Sequence, residues 1–364
     1  MNQRNKLYFA TDQREFTATL NQRVSDYFKS NEISRHANGE MIAKTVFMFS
    51  LYLIPYMLIV AGVITNVFWM IPLVLVMSLG TAGIGLSVMH DANHGAYSKH
   101  KWINSLLGYS LNLVGASAFN WKIQHNVMHH TYTNIHDHDE DISPRGVLRL
   151  SPDSKWKKIH RYQFIYAWFL YGLLTIVWVV LRDFMRTARY QKEGLLKKYS
   201  GAITKEWLIL IATKILYVGY TVIIPLIFTS LSLWQIVLGV VAMHYLAGFI
   251  LAIIFQPAHV VEGTEYPMPD EDNMLENNWA IHQLRTTTNF GNKSRWFSWY
   301  VGGLNFQIEH HLFPNICHVH YRKISKIVQS TALEFGLPYK KFNTFLGALK
   351  GHTRLLKQLG AKPA

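Results

Sequence analysis

Residues 67–94 read VFWMIPLVLVMSLGTAGIGLSVMHDANH, and this stretch decides how the rest of the chain is interpreted. The segment 67–89 carries no charge and is long enough for a membrane-spanning helix, which needs about 20 residues. His90 and His94 follow directly, four residues apart. On a helix this spacing places both imidazoles on one face, so the stretch predicts a membrane span that ends in two possible metal ligands.

Three more segments have the length and apolarity of membrane spans, namely 44–64, 207–229 and 233–256. The short connections around Thr65-Asn66 and Ser230-Leu231-Ser232 contain no Lys or Arg, whereas the longer loops carry several. Because Lys and Arg accumulate on the cytoplasmic side, we predict two hairpins whose short turns face outside. The predicted fold is an all-α membrane protein with four transmembrane helices, interfacial helices and a cytosolic helical cap.

Histidine is unevenly distributed, and two further clusters follow the first. His125-Asn-Val-Met-His129-His130 repeats the i, i+4 pair and adds a neighbour turned by about 100°. Gln307-Ile-Glu-His310-His311 offers donors at i, i+3 and i+4, and His259 comes soon after the fourth span. Imidazoles next to hydrocarbon are costly without a partner, which a metal ion supplies. Seven or eight imidazoles exceed the capacity of one ion, so we predict two ions, although imidazole alone does not choose among Fe, Cu, Ni and Zn.

The remaining apolar stretches, 103–119 and 163–181, are placed by counting membrane crossings. Histidine clusters that share one site must be separated by an even number of crossings, so 103–119 is predicted to lie along the membrane or to fold back. A span at 163–181 would put the Arg/Lys-rich loop 182–206 outside, so this stretch is predicted to be an interfacial helix. We predict one domain with three parts, a cytosolic N-terminal segment (1–43), the transmembrane helices with a cytosolic histidine-box loop at 90–206 (44–256), and a cytosolic cap (257–364).

The chain is strongly basic, with 36 Lys+Arg against 22 Asp+Glu and a formal net charge of +14. We attribute this to the positive-inside bias and to anionic membrane lipids, which is compatible with a docking face for an acidic redox protein or a phosphate-bearing substrate. The charge flanks membrane segments, which argues against binding to nucleic acid. The single cysteine, Cys317, excludes an internal disulfide and a Cys-based metal site. The first forty or so residues lack a signal-peptide pattern, so the first apolar segment is the predicted targeting element.

Several polar residues lie beside the predicted ligands. Asp91, Asn93 and Asn126 are candidates for orienting imidazole N–H groups, with simple helix-end polarity as the alternative. Gln307 is a poor metal donor that would ligate weakly, bind through water or hold solvent or oxygen, and His282 is the best spare ligand. The acidic loop 136–141 is predicted to be solvated charge rather than a third metal site. His318 and His320 are predicted to be structural or to support the ligands, and no functional role is predicted for the remaining histidines, which are His36, His100, His160, His244 and His352.

Together the motifs resemble the three histidine boxes of the membrane fatty acid desaturases. The resemblance rests on HDANH, on HNVMHH and above all on NFQIEHHLFP at 305–314, and it extends over about 44–321. A glutamine at the start of the third box is the pattern of front-end desaturases, which place a double bond between an existing one and the carboxyl end. Many eukaryotic members carry a fused cytochrome b5 domain with an HPGG motif; this sequence has no such motif and no room for the domain before residue 44.

The resemblance implies an O2-dependent oxidoreductase that desaturates a fatty acyl-CoA or an acyl-lipid. It implies a multi-pass membrane protein with its site on the cytoplasmic side, in the cytoplasmic membrane if the source is bacterial. The implied cofactors are two iron ions, with molecular oxygen as co-substrate and electrons from an external ferredoxin or cytochrome b5-type donor. The implied metal ligands are His90, His94, His125, His129, His130, His310 and His311, with His259 matching an extra histidine of related acyl-CoA desaturases and no catalytic residue beyond the metal centre.

Two other functions stay open at this point. A membrane lipid hydroxylase would use the same histidine scaffold and return oxygen to carbon. A bis-histidine haem b electron-transfer protein would bind its haem through paired imidazoles. That function gives the adjacent pairs His129-His130 and His310-His311 no role. For a desaturase, the acyl chain needs a narrow apolar tunnel, with plausible walls at Trp69, Trp121, Trp296 and Trp299.

Overall fold

The computed structural model describes residues 6–143 and 146–363, so the outermost ends of the predicted segments 1–43 and 257–364 lie outside the described residues. Within these ranges the chain is mainly helical, and we number its helices in chain order. They are α1 (Arg14–Ser30), α2 (Gly39–Val60), α3 (Val67–Asn93), α4 (Lys101–Gly108), α5 (Ser110–Leu113), α6 (Ala118–Lys122), α7 (His130–Tyr132), α8 (Lys158–Gly172), α9 (Leu174–Lys192), α10 (Leu195–Ser200), α11 (Ile203–Phe228), α12 (Leu233–His259), α13 (Trp279–Thr286), α14 (Arg295–Tyr300), α15 (Gln307–Leu312), α16 (Tyr321–Glu334) and α17 (Phe345–Gly360).

Other backbone elements are short. Two parallel pairs of two-residue strands join β1 (Tyr8–Phe9) to β2 (Met274–Leu275) and β3 (Asn289–Phe290) to β4 (Lys341–Phe342). The described chain also contains 3₁₀ turns at Glu140–Ile142, at the start of α8 (Lys158–Tyr162) and at His318–His320, and π-helical stretches at Ile84–Val88 in α3, Ile123–His129 between α6 and α7, Trp178–Arg182 in α9 and Gly219–Ile223 in α11.

Among the described residues, four helices are long and apolar enough to cross a membrane, and they are α2, α3, α11 and α12. This confirms the predicted all-α class and the four predicted spans, whose ends lie within about five residues of the expected bounds. The second helix of each hairpin begins at a polar cap. The Asn66 side chain accepts a hydrogen bond from the backbone N–H of Phe68, and Ser232 and Gln235 form a capping box. The short turns therefore lie where the sequence predicts them.

Helix α3 lies between α2 and α12 in the bundle. At Gly80 the backbone of α3 approaches α2 so closely that a Cβ there would lie 2.6 Å from the backbone nitrogen of Tyr52. Helices α3 and α12 run parallel, since Val74 lies against Gly239 and Gly85 against Leu251, and their final turns therefore lie at the same end of the bundle. His90 and His259, which belong to these turns, are thereby brought to one end.

The two additional apolar stretches do not form straight spans. The stretch 103–119 folds into α4, α5 and the beginning of α6, which are each too short to cross a bilayer. The stretch 163–181 belongs to α8 and α9, and the chain bends by 61° where these two helices meet. Neither helix is a candidate span alone, but the two together would form one broken span. The interfacial placement of 163–181 stays a prediction.

The N-terminal and C-terminal parts of the chain pack together beside the third histidine box. Helix α1 buries Phe16, Leu20 and Val24 in a cluster shared with α16 and with the box helix α15. The ion pair between Arg23 and Glu334 joins the outer surfaces of α1 and α16. The two ends of the chain thus form a common support for α15.

A buried ion pair connects α11 to the bent pair of helices. The Nζ atom of Lys214 lies 2.7 Å from an Asp183 carboxylate oxygen, and Lys214 also donates to the carbonyls of Gly115 and Val179. The Lys214 side chain is 12% exposed and that of Asp183 is fully buried. This contact holds a π-helical carbonyl of α9 and the turn before α6 against a membrane helix.

We expect Lys214→Met to lower the free energy of unfolding by about 3–5 kcal/mol, because it leaves the Asp183 carboxylate buried without its partner. Unfolding in detergent by heat and by denaturing surfactant measures this. The exposed Lys205 provides the control Lys205→Met, for which we expect a change within about 0.5 kcal/mol. The double variant Lys214→Met/Asp183→Asn should recover part of the loss, and wild-type stability of Lys214→Met would show that the pair contributes nothing.

Candidate metal centre

Eight histidines from four separate parts of the chain converge at one end of the bundle. His90 and His310, from the first and third predicted boxes, have ring centroids 4.5 Å apart. His129 lies 4.6 Å by the same measure from His259, which ends α12. Within the described chain the converging set is His90, His94, His125, His129, His130, His259, His310 and His311. The structure therefore brings together all of the histidines that the resemblance singled out.

The cluster divides into two groups. Within each group, the possible ligand atoms all lie within 4.8 Å of one another. One group, called here the first group, contains His90, His94, His125 and His310. The other, called the second group, contains His129, His259 and His311. Two groups of three or four imidazoles fit two ions better than one, since a single ion does not accept seven or eight nitrogen ligands.

His130 lies between the two groups. Its Nε2 atom is 2.9 Å from Nε2 of His310 and 3.2 Å from Nε2 of His125, and its ring stacks on that of His311 at 4.3 Å. Two nitrogens bound at right angles to one ion, each about 2.1 Å away, would be about 3.0 Å apart. The observed spacing is compatible with nitrogens that bind one ion, and it is also the spacing of a hydrogen bond between two imidazoles.

Local helix geometry places these rings. A π-helical turn at Ile84–Val88 immediately precedes the first box, and another, at Ile123–His129, contains the second. A π turn inserts an extra residue and shifts the helix face that follows. In the second box it stacks His125 and His129, with centroids 5.3 Å apart and planes at 23°. His125 can then face the first group while His129 faces the second.

Three of the rings are oriented by a polar partner behind them. Nδ1 of His129 is 3.0 Å from a carboxylate oxygen of Asp139, and Nδ1 of His311 is 2.8 Å from the amide oxygen of Gln283. Since these oxygens only accept, each Nδ1 carries the hydrogen and each Nε2 presents its lone pair to the cluster. Nδ1 of His310 similarly lies 3.2 Å from the hydroxyl of Tyr321.

The inward nitrogens lack protein partners. In the described chain, Nε2 of His94, His129 and His311 and both ring nitrogens of His259 are buried and make no hydrogen bond. An unpaired buried polar group costs roughly 1–3 kcal/mol, and several in one place are unusual for a folded protein. Bound metal ions would satisfy one nitrogen of each of these rings, so the donor set fits a di-metal centre.

The polar residues predicted to orient the ligands, Asp91, Asn93 and Asn126, make different contacts. Asp91 accepts hydrogen bonds from His318 and has a carboxylate oxygen 3.9 Å from Nδ1 of His90. Asn126 donates to the backbone carbonyl of Asn93 at 2.9 Å. These asparagines therefore join the first and second boxes through the backbone.

The two additional candidate ligands, His282 and Gln307, also differ. Nε2 of His282 lies 2.8 Å from the carbonyl oxygen of Thr133, outside both histidine groups, and burial lowers the pKa of this imidazole to about 4. Gln307 is fully buried beside His259, and within the described residues neither of its amide atoms makes a hydrogen bond of ordinary geometry. Gln307 is thus the one of the two that faces the centre.

The acidic loop corrects a sequence-based expectation in part, because Asp137 is exposed but the other acidic residues of the loop are buried or paired. Asp139 is completely buried against His129, and Glu140 pairs with Arg186 at 3.3 Å and with Arg189. Burial raises the pKa of Asp141 to about 6. The loop is a buried connection between the second box and α9, and its arginine partners lie too far along the chain for the local pattern to reveal them.

Glu309, within the third box, is also a buried acidic residue that is held by protein side chains. Its carboxylate accepts hydrogen bonds of 2.8 Å from the Asn289 amide and from the Tyr339 hydroxyl. Burial raises the pKa of Glu309 to about 7, and these two hydrogen bonds oppose the shift. Glu309 points away from the ligands and fastens α15 to β3.

A mainly apolar cavity of about 350 Å³ reaches the first group. His90, His125 and His310 form part of its wall, and it extends between α3 and α12 towards Thr81 and His244. Elsewhere it is lined by polar side chains that include Gln124, Arg182 and Arg186. A long apolar ligand with one polar end could therefore lie with a mid-chain segment beside the histidines.

Of the four tryptophans predicted as tunnel walls, Trp121 lines this cavity and stacks on His125 at 4.4 Å. The prediction is wrong for Trp69 and Trp296, which are 68% and 83% exposed, and Trp299 packs on Phe47. Trp178, from the π-helical stretch of α9, is a wall that the sequence did not indicate.

Residues 66–343 match the family model described as fatty acid desaturase. The chain is 36% identical to the sn-1 linoleoyl-lipid 6-desaturase of Synechocystis sp., over 96% of this chain and 97% of the relative. It is 35% identical to the protein of the same name from Arthrospira platensis, over 96% and 93%. It is 37% identical to the acyl-lipid (8-3)-desaturase of Physcomitrium patens, over 97% of this chain and 73% of the relative.

Proposed function

The chain belongs to the fatty acid desaturase family, and from this premise we propose that it is a front-end acyl-lipid desaturase with a di-iron centre. That it is a membrane-bound oxidoreductase acting on fatty acyl chains follows from the family and from its four apolar helices. The substrate class, the metal and its ligands, and the side of the membrane belong to the proposal. The observation that carries it is the convergence of eight histidines at the wall of a mainly apolar cavity.

The proposed ligands are the seven box histidines and His259. His90, His94, His125 and His310 would hold one iron and His129, His259 and His311 the other, with His130 placed between them. Iron, when bound, supplies with O2 the oxidising power to remove hydrogen from unactivated carbon, which no acid or base of the protein could do because a methylene C–H has no accessible pKa. Overall, two hydrogens leave neighbouring carbons, a double bond forms, and O2 is reduced to two waters with two further electrons and two protons from outside.

The protein residues contribute position and exclusion of water. Asp139, Gln283 and Tyr321 hold three imidazoles with Nε2 inward, as described above. Trp121 covers the ring of His125 and forms the cavity wall beside it, so a bound methylene segment would replace solvent there. Gln307, buried and without a hydrogen bond of ordinary geometry in the described chain, is proposed to hold a water next to the second group.

An esterified lipid is the proposed substrate in preference to an acyl-CoA. The relatives named above are linoleoyl-lipid and acyl-lipid desaturases, and their names place the new double bond towards the carboxyl end. A front-end enzyme needs only a short distance between the polar end of the substrate and the metal centre. The cavity provides Arg182 and Arg186 for such a polar end and an apolar arm towards His244 for the rest of the chain.

The proposed membrane orientation has the histidine end in the cytoplasm. The turns at the opposite end, 61–66 and 229–232, contain no Lys or Arg, whereas the connection that includes α9 and α10 is rich in both. This orientation makes the protein multi-pass and presents the centre to a soluble electron carrier. On α16, Arg322, Lys323 and Lys326 are exposed next to Tyr321, whose hydroxyl contacts His310. We propose that an acidic ferredoxin or cytochrome b5-type protein docks there.

Expression in a host whose glycerolipids contain linoleate tests the function. We expect a new double bond between the existing ones and the carboxyl group, located by mass spectrometry of isolated lipids. Purified protein supplied with a reduced ferredoxin or cytochrome b5 should desaturate lipid-bound linoleate faster than linoleoyl-CoA. A faster reaction of the CoA ester would replace the substrate proposal, and hydroxylated lipid without alkene would refute desaturation.

A further inference from the structure

A chain of three buried polar side chains ends at the first histidine group. It begins at Lys44 in α2, a helix that contains no histidine, and only 1% of the Lys44 surface is exposed. Nζ of Lys44 lies 2.6 Å from Nε2 of His318, and Nδ1 of His318 lies 2.8 Å from Oδ2 of Asp91. The mechanism above gives neither Lys44 nor His318 a role.

The direction of these hydrogen bonds follows from the donors. A lysine ammonium group only donates, so Nε2 of His318 accepts and Nδ1 carries the hydrogen that is donated to Asp91. The backbone N–H of His318 donates to the same carboxylate oxygen at 3.1 Å. The other carboxylate oxygen lies 3.9 Å from Nδ1 of His90, behind the ring of a proposed ligand.

The surroundings account for the stability of a charged lysine in this place. The Lys44 ammonium also lies 5.1 Å from the centroid of the Trp299 ring, which provides a cation–π contact. Its positive charge and the negative charge of Asp91 compensate each other across a neutral imidazole. A buried carboxylate next to His90 would be costly without this compensation.

We infer that Lys44 and His318 are positioning residues for the metal centre. They fix the Asp91 carboxylate, whose charge acts on Nδ1 of His90 through a 3.9 Å electrostatic contact, favours the hydrogen on Nδ1 and leaves Nε2 free for the first group. The inference rests on the proposed di-iron function. A partner behind a metal-binding histidine typically changes metal affinity by about 10- to 100-fold, whereas a purely structural link between α2 and the 3₁₀ turn would change stability alone.

Titration of detergent-purified, metal-free protein with Co²⁺ separates these roles, because Co²⁺ bound to imidazole has visible absorption bands. For the wild type we expect two binding events. For Lys44→Met, which keeps an unbranched side chain one atom shorter but removes the donor, we expect one of them to weaken by about 10- to 100-fold and the other to remain unchanged. The matched control is Lys214→Met, which breaks another buried lysine–aspartate pair in a membrane helix and should leave both affinities unchanged.

Two variants of His318 keep the test decisive if Lys44→Met does not fold. The amide of His318→Gln can accept from Lys44 and donate to Asp91, so we expect Co²⁺ affinities within about three-fold of wild type. His318→Leu can do neither, and we expect it to show the weakened event. Unchanged affinities in Lys44→Met or His318→Leu would overturn this inference alone. A wild type that binds no Co²⁺ would overturn the proposed centre and this inference with it.

Discussion

Replacing His259 with alanine is expected to abolish desaturation and to lower the bound iron from two ions per chain to one. His259 is the member of the second group that lies outside the three boxes, so it tests the second ion apart from the motifs. Both of its ring nitrogens are buried without a hydrogen bond of ordinary geometry in the described chain, so no well-formed hydrogen bond is lost with the ring. The expected damage is therefore to metal binding rather than to folding.

Iron analysis and lipid analysis of the same preparation measure this effect. Thermal unfolding adds a second readout, because iron should raise the melting temperature of the variant less than that of the wild type. His94→Ala should cause the corresponding loss in the first group. His100→Ala is the control, since His100 is exposed and lies before α4. Two irons and wild-type turnover in His259→Ala would remove His259 from the centre.

The membrane spans and the histidine boxes were predictable because each is encoded locally. A run such as 67–89 has one stable arrangement in a bilayer, a helix with all backbone groups paired, and its length fixes its bounds to within a few residues. The spacing of His90 and His94 likewise follows from helix geometry. The convergence of the boxes could be expected from parity alone, since an even number of crossings returns the chain to the same side.

The residues that orient the ligands were not predictable in this way. Gln283 faces His311, whereas its neighbour His282, the more conspicuous residue, turns to Thr133. Which of two adjacent positions on α13 faces the centre depends on how that helix docks, and docking is determined by residues distant in sequence. Lys44 and Asp139 are similar, since their partners belong to other elements and a lone charge in a sequence is normally solvated.

The different positions of His125 and His129 in the two histidine groups were also not predictable from the sequence. An ideal α-helix would have allowed His125 and His129 to serve the same ion, as the i, i+4 spacing suggests. In the structure His125 lies with the first group and His129 with the second, although both also lie close to Asp141, and no short motif specifies the π-helical stretch Ile123–His129 that carries them.

Gly302→Ala is expected to disrupt the centre although Gly302 is not a ligand. Gly302 has φ +62°, and a Cβ there would lie 2.2 Å from the carbonyl oxygen of Leu86 and 2.9 Å from Cα of Ser87. Both contacts are to backbone, in the π-helical turn that precedes His90, so no side chain can rotate away. The turn at Gly302 must therefore move off α3, and α15 with the third box must move with it. We expect loss of bound iron and of detectable desaturation.

Gly336→Ala separates this clash from the cost of the backbone conformation. Gly336 has φ +66° and nothing within 4 Å of the position of a Cβ. It should lose only the roughly 1–2 kcal/mol of a left-handed non-glycine residue and keep two irons and its activity. Iron content, lipid products and melting temperature of both variants decide between the explanations. Equal behaviour of the two alanine variants would contradict this prediction. It would show that the first and third boxes are not aligned by the close contact between the Gly302 turn and the π-helical turn of α3. If only Gly302→Ala loses iron, that contact aligns them, because the left-handed backbone is common to both glycines.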